Sequence, residues 1–293
     1  YEYRTTEEGD VFMTGVCFRN LYEDPVTIDK EFPPDYIDIS INSSGSRLFG
    51  VLYIAEGRGP HPTILLLHGF PGTERNLDLA HAFRRAGWNV LVFHYRGSWG
   101  SEGAFSFGNV LEDVKAALKY IRSDEIVQRC RVDRENIALV GHSMGGFAAL
   151  LTAAANMDIK TCVAMAPFDF GAMAGLARNN PEIMDLLGDM FKDCIVPLKG
   201  ASVDTLLSEA MANSEKWSFV NNAEALSKCR LLLVAASADK LSIPALHFHP
   251  LQKKMLSYDN GCFEYSILDS DHSFQDKRIQ LAETIAGWLE NQL

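Results

Sequence analysis

A serine lies between two glycines in the stretch GHSMG, residues 141–145, where an apolar run meets a segment rich in small residues. At a sharp turn from strand to helix, the hydroxyl of Ser143 would project above the sheet. The N-terminus of the following helix would bring unpaired N–H groups and a partial positive charge beside it. The pattern predicts that Ser143 is a nucleophile. The alternative is a glycine-rich turn in which the serine has no chemical role.

A serine nucleophile needs a base to take its proton and a carboxylate to orient that base. His272 directly follows the last apolar run of strand character, and Asp239 follows the strand pattern of residues 230–236. Active sites form at such strand ends, and the order Ser…Asp…His is one of the known orders of a triad. The sequence therefore predicts Ser143, Asp239 and His272 as the catalytic residues.

Two other carboxylates compete with Asp239 for the orienting role. Asp169 follows the preceding strand pattern, so the same argument from strand ends applies to it and it stays an alternative. Asp271 adjoins His272, but adjacent side chains in an extended loop point apart, which disfavours it.

An acyl-transfer reaction also needs donors for the negative oxygen of its tetrahedral intermediate. The stretch HGFPG, residues 68–72, follows an apolar strand pattern, and Met144 follows the serine. Backbone N–H groups from such a loop and from the residue after the nucleophile can bind this oxygen. We therefore predict an oxyanion hole made by the N–H groups of Phe70 and Met144. The alternative is a Gly-Pro turn that only ends a strand.

Other side chains near these motifs have two interpretations each. Arg96 could bind a substrate carboxylate, but an arginine in a glycine-rich loop more often ties backbone carbonyls together, and we favour that role. Aromatic side chains in the loops and in residues 170–228 suit an apolar acyl pocket and also ordinary packing. They are Phe70, Trp99, Phe105, Phe107, Phe168, Phe170, Trp217 and Phe219.

The elements that must position these residues alternate between strand and helix patterns, which predicts an α/β fold with about eight strands. The sheet is mostly parallel, carries helices on both faces and opens with an antiparallel hairpin. The predicted strands are 36–41, 48–55, 63–67, 89–95, 137–140, 161–166, 230–236 and 263–268. The clearest helices are 77–86, about 110–121 and about 281–289.

This alternation, and the places where it is absent, divide the chain into a core, an insertion and an N-terminal extension. Residues 170–228 lack a strand pattern but contain helical stretches at 182–192 and 202–212, which predicts an inserted helical cap. Residues 35–169 and 229–293 form the predicted core. Residues 1–34, with two adjacent prolines, form an N-terminal extension whose role the sequence leaves open.

Composition excludes several classes of partner. The chain has 293 residues and a formal net charge of -11, which disfavours nucleic acids and anionic membrane surfaces. Its longest apolar runs are far shorter than the roughly 20 residues that span a bilayer. Six cysteines are scattered without a CxxC pair, so we expect no metal site and no dense disulfide framework.

With the residues at 68–70, 141–145, 239 and 272 in this order, residues 36–293 resemble the α/β-hydrolase superfamily. Residues 95–103 are also similar to the loop after the fourth strand in the branch of prolyl-oligopeptidase-like and cinnamoyl or feruloyl-type esterases. The resemblance implies an α/β-hydrolase fold, acyl transfer to water and no cofactor. The acid loop departs from this branch: it often reads Gly-x-x-Asp-x-x-Val-Pro, whereas residues 235–244 differ in glycine content and have an extra residue before Pro244.

We therefore expect a serine hydrolase that cleaves a small or aromatic acyl ester, a small molecule, through an acyl-enzyme. An exopeptidase or acyl-peptide hydrolase and an acyl thioesterase are the alternatives. The non-enzymatic alternative is a ligand receptor on the same fold. The presence of a serine, an acid, a base and an oxyanion loop together disfavours it. A homo-oligomer is compatible with the sequence. The cysteine pattern favours the cytoplasm, but a leader could precede Tyr1, so secretion or a periplasmic location stays open.

Overall fold

The structure, a computed structural model, describes residues 3–5, 11–13, 21–258 and 261–293. Strands β1 (Tyr3–Thr5) and β2 (Val11–Met13) pair antiparallel in a small separate sheet. The rest of the predicted N-terminal extension before residue 21, including Cys17, lies outside the described residues. Within the described part of the chain, no helix is both long enough and apolar enough to span a membrane.

The main sheet has eight strands, as the sequence predicts. They are β3 (Asp35–Ser43), β4 (Ser46–Ile54), β5 (His61–Leu67), β6 (Asn89–Phe93), β7 (Val132–His142), β8 (Thr161–Met165), β9 (Arg230–Ala236) and β10 (Phe263–Leu268). Their order is β10-β9-β8-β7-β5-β6-β4-β3. The hairpin β3–β4 and the pair β4–β6 are antiparallel, and all other pairs are parallel.

Both faces of this sheet are covered. Leu65 and Leu67 of β5 join a core with helices on one face, whereas Ile64 and Leu66 join a second core on the other face. Successive side chains of a strand point to opposite faces, so a strand buried on both sides needs a continuous apolar run. The run of residues 64–67 has this property, and the mostly parallel sheet with helices on both faces that the sequence predicts is confirmed.

Strand β7 is longer than its predicted range of residues 137–140. Its first half contains Arg134 and Glu135, which are exposed, while the second half from Ile137 is buried. The sequence pattern detects only the buried half, because polar residues at the start of a strand resemble a loop.

The helices of the core occupy the two faces. They are α1 (Leu77–Arg85), α2 (Phe107–Ile121), α3 (Asp124–Cys130), α4 (Met144–Ala155), α10 (Pro244–His247), α11 (His249–Leu256) and α12 (Arg278–Glu290). Buried residues of α2 and α4 belong to the first core, and those of α1 and α12 belong to the second. The Ser106 side chain caps α2 by accepting the N–H of Asn109.

Residues 170–228, which we call the cap segment, contain helices and no strand. They are α5 (Phe170–Ala177), α6 (Pro181–Cys194), α7 (Val203–Ala212), α8 (Ser214–Trp217), a 3-10 turn (Val220–Asn222) and α9 (Ala223–Leu226). The cap segment joins β8 to β9, and its α7 and α9 contact α2 and α4. Its division from the core as a separate cap stays a prediction.

Candidate active site

Ser143 lies between the end of β7 and the start of α4, with φ 56° and ψ −118°. A positive φ is unfavourable for a serine, so surrounding contacts must hold it. The N–H of Ser143 donates to the carbonyl of Met165 at 2.9 Å. Its own carbonyl accepts from the N–H groups of Phe147 at 3.0 Å and Phe168 at 3.2 Å. These bonds fix the strained turn that the sequence predicts as a nucleophile elbow.

The two glycines of the motif are required by close backbone contacts. A Cβ atom at Gly141 would lie 2.0 Å from the carbonyl oxygen of Gly145, and one at Gly145 would lie 2.0 Å from that of Leu67. Neither contact can be relieved by moving a flexible side chain, because both involve backbone atoms. The spacing of the glycines around Ser143 therefore follows from how β5, β7 and α4 meet.

Asp239 and His272 are brought together by the loops after β9 and β10. The His272 Nδ1 atom lies 2.7 Å from Asp239 Oδ2, and Asp239 Oδ1 accepts the N–H groups of Leu241 and Ser242 at 2.8 Å each. Burial acts to raise the pKa of Asp239, but the hydrogen bond and charge of His272 and the two N–H groups outweigh it and lower this pKa. The ionised carboxylate fixes the proton on Nδ1, which leaves Nε2 of His272 as the basic nitrogen.

His142, beside the serine, holds the loop of His272. Its Nε2 donates to the backbone carbonyl of His272 at 2.8 Å, and the two rings lie 4.9 Å apart. Burial, reinforced by the charge of His272, lowers the pKa of His142 to about 3, so this ring is neutral near neutral pH. Sequence reasoning missed this contact, for which the only signal was a histidine inside the GHSMG motif.

The competing carboxylates have other partners. Asp169 accepts the N–H of Ala172 at 2.8 Å with one oxygen and that of Phe219 at 2.9 Å with the other. Burial raises the pKa of Asp169 to about 6. Asp271 Oδ1 accepts the N–H groups of Ser273 and Gln275 at 3.1 Å each. The side-chain bond to His272 Nδ1 thus comes from Asp239, not from these two.

The backbone N–H of Asp169 donates to Nδ1 of His247 at 2.9 Å. Burial lowers the pKa of His247 to about 4, and its ring lies 4.4 Å from that of Phe168. Asp169 therefore joins the exit of β8, the cap segment and α10 in one buried network.

The loop predicted to supply one oxyanion donor lies against the serine. A Cβ atom added at Gly69 would be 3.1 Å from Cβ of Ser143. Among residues 21–258 and 261–293, no protein acceptor takes the N–H of Phe70 or of Met144. Phe70 directly follows Gly69 and Met144 directly follows Ser143, so both N–H groups belong to segments that meet at the serine.

Arg96 is engaged within the protein. Its side chain donates to Asp113 at 2.7 Å, to Glu112 at 2.8 Å and to the carbonyl of Asn109 at 3.2 Å. Arg96 therefore ties the loop after β6 to α2, through carboxylates more than through the carbonyls that we expect from the sequence.

Seven of the eight singled-out aromatic residues pack in one connected cluster. Phe107 is its centre, with ring distances of 4.1 Å to Phe170 and 5.7 Å to Phe70. Phe70 also contacts Phe191 of the cap segment at 5.8 Å. The remaining contacts include Phe105, Phe168, Trp217, Phe147 and Phe219. The eighth residue, Trp99, is 42% exposed and is not part of this cluster.

Comparison with known families identifies the family of the chain. The model of the Alpha/beta hydrolase family matches residues 64–283, and the chain belongs to that family. The resemblance seen in the sequence is therefore confirmed.

Two curated relatives match parts of the chain. Quorum-quenching protein AidA of Acinetobacter baumannii is 31% identical over 175 residues, covering 58% of this chain and 56% of that protein. Acylamino-acid-releasing enzyme 1 of Oryza sativa is 31% identical over 201 residues, covering 63% of this chain and 24% of that protein. The matched region thus spans about half of the first relative's length and about a quarter of the second's.

Two solved structures share the fold. The esterase Pf2001 of Pyrococcus furiosus has a TM-score of 0.63 at 17% identity, covering 89% of this chain and 92% of that chain. Est1E of Butyrivibrio proteoclasticus with bound ferulic acid has a TM-score of 0.62 at 18% identity, covering 87% and 98%. At this identity the likeness concerns the fold.

Proposed function

We propose that the chain is a serine hydrolase that cleaves a carboxylic ester, with Ser143, His272 and Asp239 as its triad. The observation that carries the proposal is the 2.7 Å bond between Asp239 and Nδ1 of His272, in a fold where Ser143 occupies a strained turn. Acyl transfer needs a carboxylate that orients the base, a base with a fixed tautomer and a serine whose hydroxyl projects above the sheet.

In the first half of the reaction, Oγ of Ser143 attacks the ester carbonyl carbon while Nε2 of His272 takes the hydroxyl proton. The carbonyl oxygen becomes negative and accepts the N–H groups of Phe70 and Met144. Collapse of this intermediate breaks the bond to the alcohol oxygen, which leaves with the proton from His272. The acyl group remains bonded to Ser143.

In the second half, His272 takes a proton from a water molecule, whose oxygen attacks the acyl carbon. The second tetrahedral intermediate uses the same two N–H donors. Its collapse releases the carboxylic acid and returns the proton to Ser143. Asp239 stays ionised throughout and stabilises the imidazolium that forms in each step.

We also propose that the cap segment covers the pocket that binds the acyl group. The carboxylate of Glu209 on α7 accepts the N–H of Phe107 at 2.8 Å and that of Gly108 at 3.0 Å. The N–H of Phe105 donates to the carbonyl of Lys199 at 2.8 Å. With the bond from Phe219 to Asp169, these contacts attach the segment to the loops that surround Ser143.

A second candidate, release of an acylated amino acid, is favoured by the similarity to the rice enzyme that carries this name. The same triad can cleave an amide if the leaving amine is protonated by His272. Nitrophenyl esters of increasing chain length, compared with acyl-aminoacyl nitroanilides, will separate the two. We expect kcat/KM to be higher for the esters, and the reverse order would favour the peptidase.

The proposed nucleophile is tested by covalent labelling with a fluorophosphonate. We expect the wild-type protein to be labelled and Ser143→Ala to remain unlabelled. Ser40→Ala, at an exposed position of β3, is the matched control and should be labelled like the wild type. Labelling that persists in Ser143→Ala would exclude Ser143 as the nucleophile.

A further inference from the structure

Trp99 occupies a backbone position that disfavours tryptophan. The N–H of Ser101 donates to the carbonyl of Ser98 at 2.9 Å, which closes a tight turn around Trp99 and Gly100. Both central residues have positive φ values, 47° and 97°. Such turns are normally made by glycine, asparagine or aspartate, because a bulky side chain is strained there. A strained residue of this kind points to a role for its side chain.

The indole of Trp99 is fixed against the loop that carries the proposed oxyanion donor. Its Nε1 donates to the carbonyl of Pro71 at 2.7 Å, and Pro71 directly follows Phe70. A Cβ atom at Gly72 would lie 2.5 Å from Cε1 of His68 and 2.8 Å from Nε1 of Trp99, so both rings come close to this glycine. The indole is therefore held by a hydrogen bond at its polar end, against the loop that also contains Gly69 and Phe70.

The ring itself remains available for binding. Trp99 is 42% exposed, and among residues 21–258 and 261–293 no aromatic ring or cation stacks on it. The seven other aromatic residues singled out from the sequence use their faces for packing within the protein. A rigid aromatic surface with its polar atom already bonded binds flat apolar groups well, because little side-chain entropy is lost.

We propose that Trp99 is a specificity-determining residue whose indole face binds a flat aromatic or conjugated group of the ester cleaved at Ser143. This inference rests on the proposed function and names its substrate class. The flat group lies on the side of Ser143 where the loops after β5 and β6 meet. Offset stacking and the removal of apolar surface from water supply the affinity.

The test compares two variants that remove different properties of the tryptophan. Trp99→Gly removes the ring and suits the positive φ of the turn, so the backbone is not strained further. Trp99→Phe keeps an aromatic ring but lacks the N–H that bonds to Pro71. Tyr36→Ala is the matched control, because Tyr36 is 62% exposed on β3 at the far edge of the sheet.

Each protein is assayed with two pairs of esters, methyl cinnamate with methyl butyrate and benzyl acetate with butyl acetate. The wild type should prefer the ring-bearing ester in at least one pair. In Trp99→Gly this preference, as a ratio of kcat/KM values, should fall about 10-fold, mainly through KM, which corresponds to loss of one aromatic contact. Trp99→Phe should keep most of the preference, and Tyr36→Ala all of it.

Two outcomes overturn the inference. The first is a wild type without preference for either ring-bearing ester. The second is an unchanged ratio of kcat/KM values in Trp99→Gly. If kcat/KM then falls equally for both esters of a pair, Trp99 only holds the Pro71 loop. Fluorophosphonate labelling of the wild type separates these from failure of the proposed function. A labelled protein with any of these outcomes keeps that function, whereas an unlabelled one loses both.

Discussion

Asp239 and Asp169 are two buried carboxylates that follow neighbouring strands, β9 and β8, and each accepts two backbone N–H groups. They differ in one partner. Asp239 also bonds to the imidazole of His272, and its pKa lies below the ordinary value. Asp169 bonds to two backbone donors of the cap segment, Ala172 in α5 and Phe219, and burial raises its pKa to about 6. The pKa values of these two carboxyl groups are thus shifted in opposite directions.

This difference shows that a position at the end of a strand makes a carboxylate a candidate but does not assign its role. The hydrogen bond to the imidazole of His272 helps to stabilise the charged form of Asp239, whereas backbone dipoles alone do not offset the cost of burial for Asp169. The partner of Asp239 comes from the loop after β10, and Asp169 instead connects α5 to Phe219. Asp169 is therefore suited to a structural role and Asp239 to orienting a base.

The largest expected effect concerns catalysis by variants of these two residues. In Asp239→Asn the amide no longer selects the productive tautomer of His272, so kcat for ester hydrolysis should fall about 10⁴-fold. In Asp169→Asn it should fall less than about 10-fold, because the bond to His272 is retained. Steady-state kinetics on one nitrophenyl ester provides the measurement. A greater loss in Asp169→Asn would reverse the assignment.

The next effect concerns His142, which holds the loop of His272. The pKa of His142 is lowered to about 3 in the fold, below its unfolded value near 6.5, so its contribution to stability is present above pH 6.5 and is lost as pH falls. Between pH 7 and pH 5 this loss is about 2 kcal/mol. His142→Gln keeps an N–H for the carbonyl of His272 but does not titrate.

Urea unfolding at pH 7 and pH 5 measures this effect as the free energy of unfolding. The wild type should lose about 2 kcal/mol more than His142→Gln over this interval. Equal losses in the two proteins would mean that the ring of His142 titrates normally in the fold.

A smaller effect of opposite sign is expected for Asp169. Its pKa is raised to about 6 in the fold from about 4 in the unfolded chain, so its contribution to stability is largest at low pH and is lost as pH rises through 6. The stability difference between the wild type and Asp169→Asn should be about 1.4 kcal/mol larger at pH 5 than at pH 8.

Asp38→Asn, at an exposed position of β3, is the control for this measurement. Water surrounds this side chain in the folded as in the unfolded protein, so the stability difference for this variant should stay constant between pH 5 and pH 8. A slope in Asp38→Asn equal to that in Asp169→Asn would show that the pH dependence does not come from the burial of Asp169.

The smallest effect is expected for Glu209, a half-buried carboxylate that accepts two N–H groups at the start of α2. Water still reaches this residue, so the free energy of unfolding depends less on its carboxylate than on that of Asp169. Glu209→Gln should lower the free energy of unfolding by about 1 kcal/mol, from the lost interaction with the helix N-terminus. Thermal unfolding measures it, and a loss several times larger would show that this tie controls attachment of the cap segment.

Much of the fold could be predicted from the sequence, because buried strands and amphipathic helices have local patterns. All eight strands of the main sheet and the helical content of residues 170–228 follow from such patterns. The short helix α3 and the polar first half of β7 were missed, since neither has an apolar period long enough to detect.

The sequence by itself determined the elbow around Ser143, because its glycines, strand and helix are neighbours in the chain. Tertiary structure decided which carboxylate meets His272, because that bond joins residues 33 positions apart across two strands. It also decided that His142 holds the loop of His272, 130 positions away, and that Trp99 lies at the loop of Pro71. Local patterns report burial and turns, whereas these contacts depend on the order of strands in the sheet.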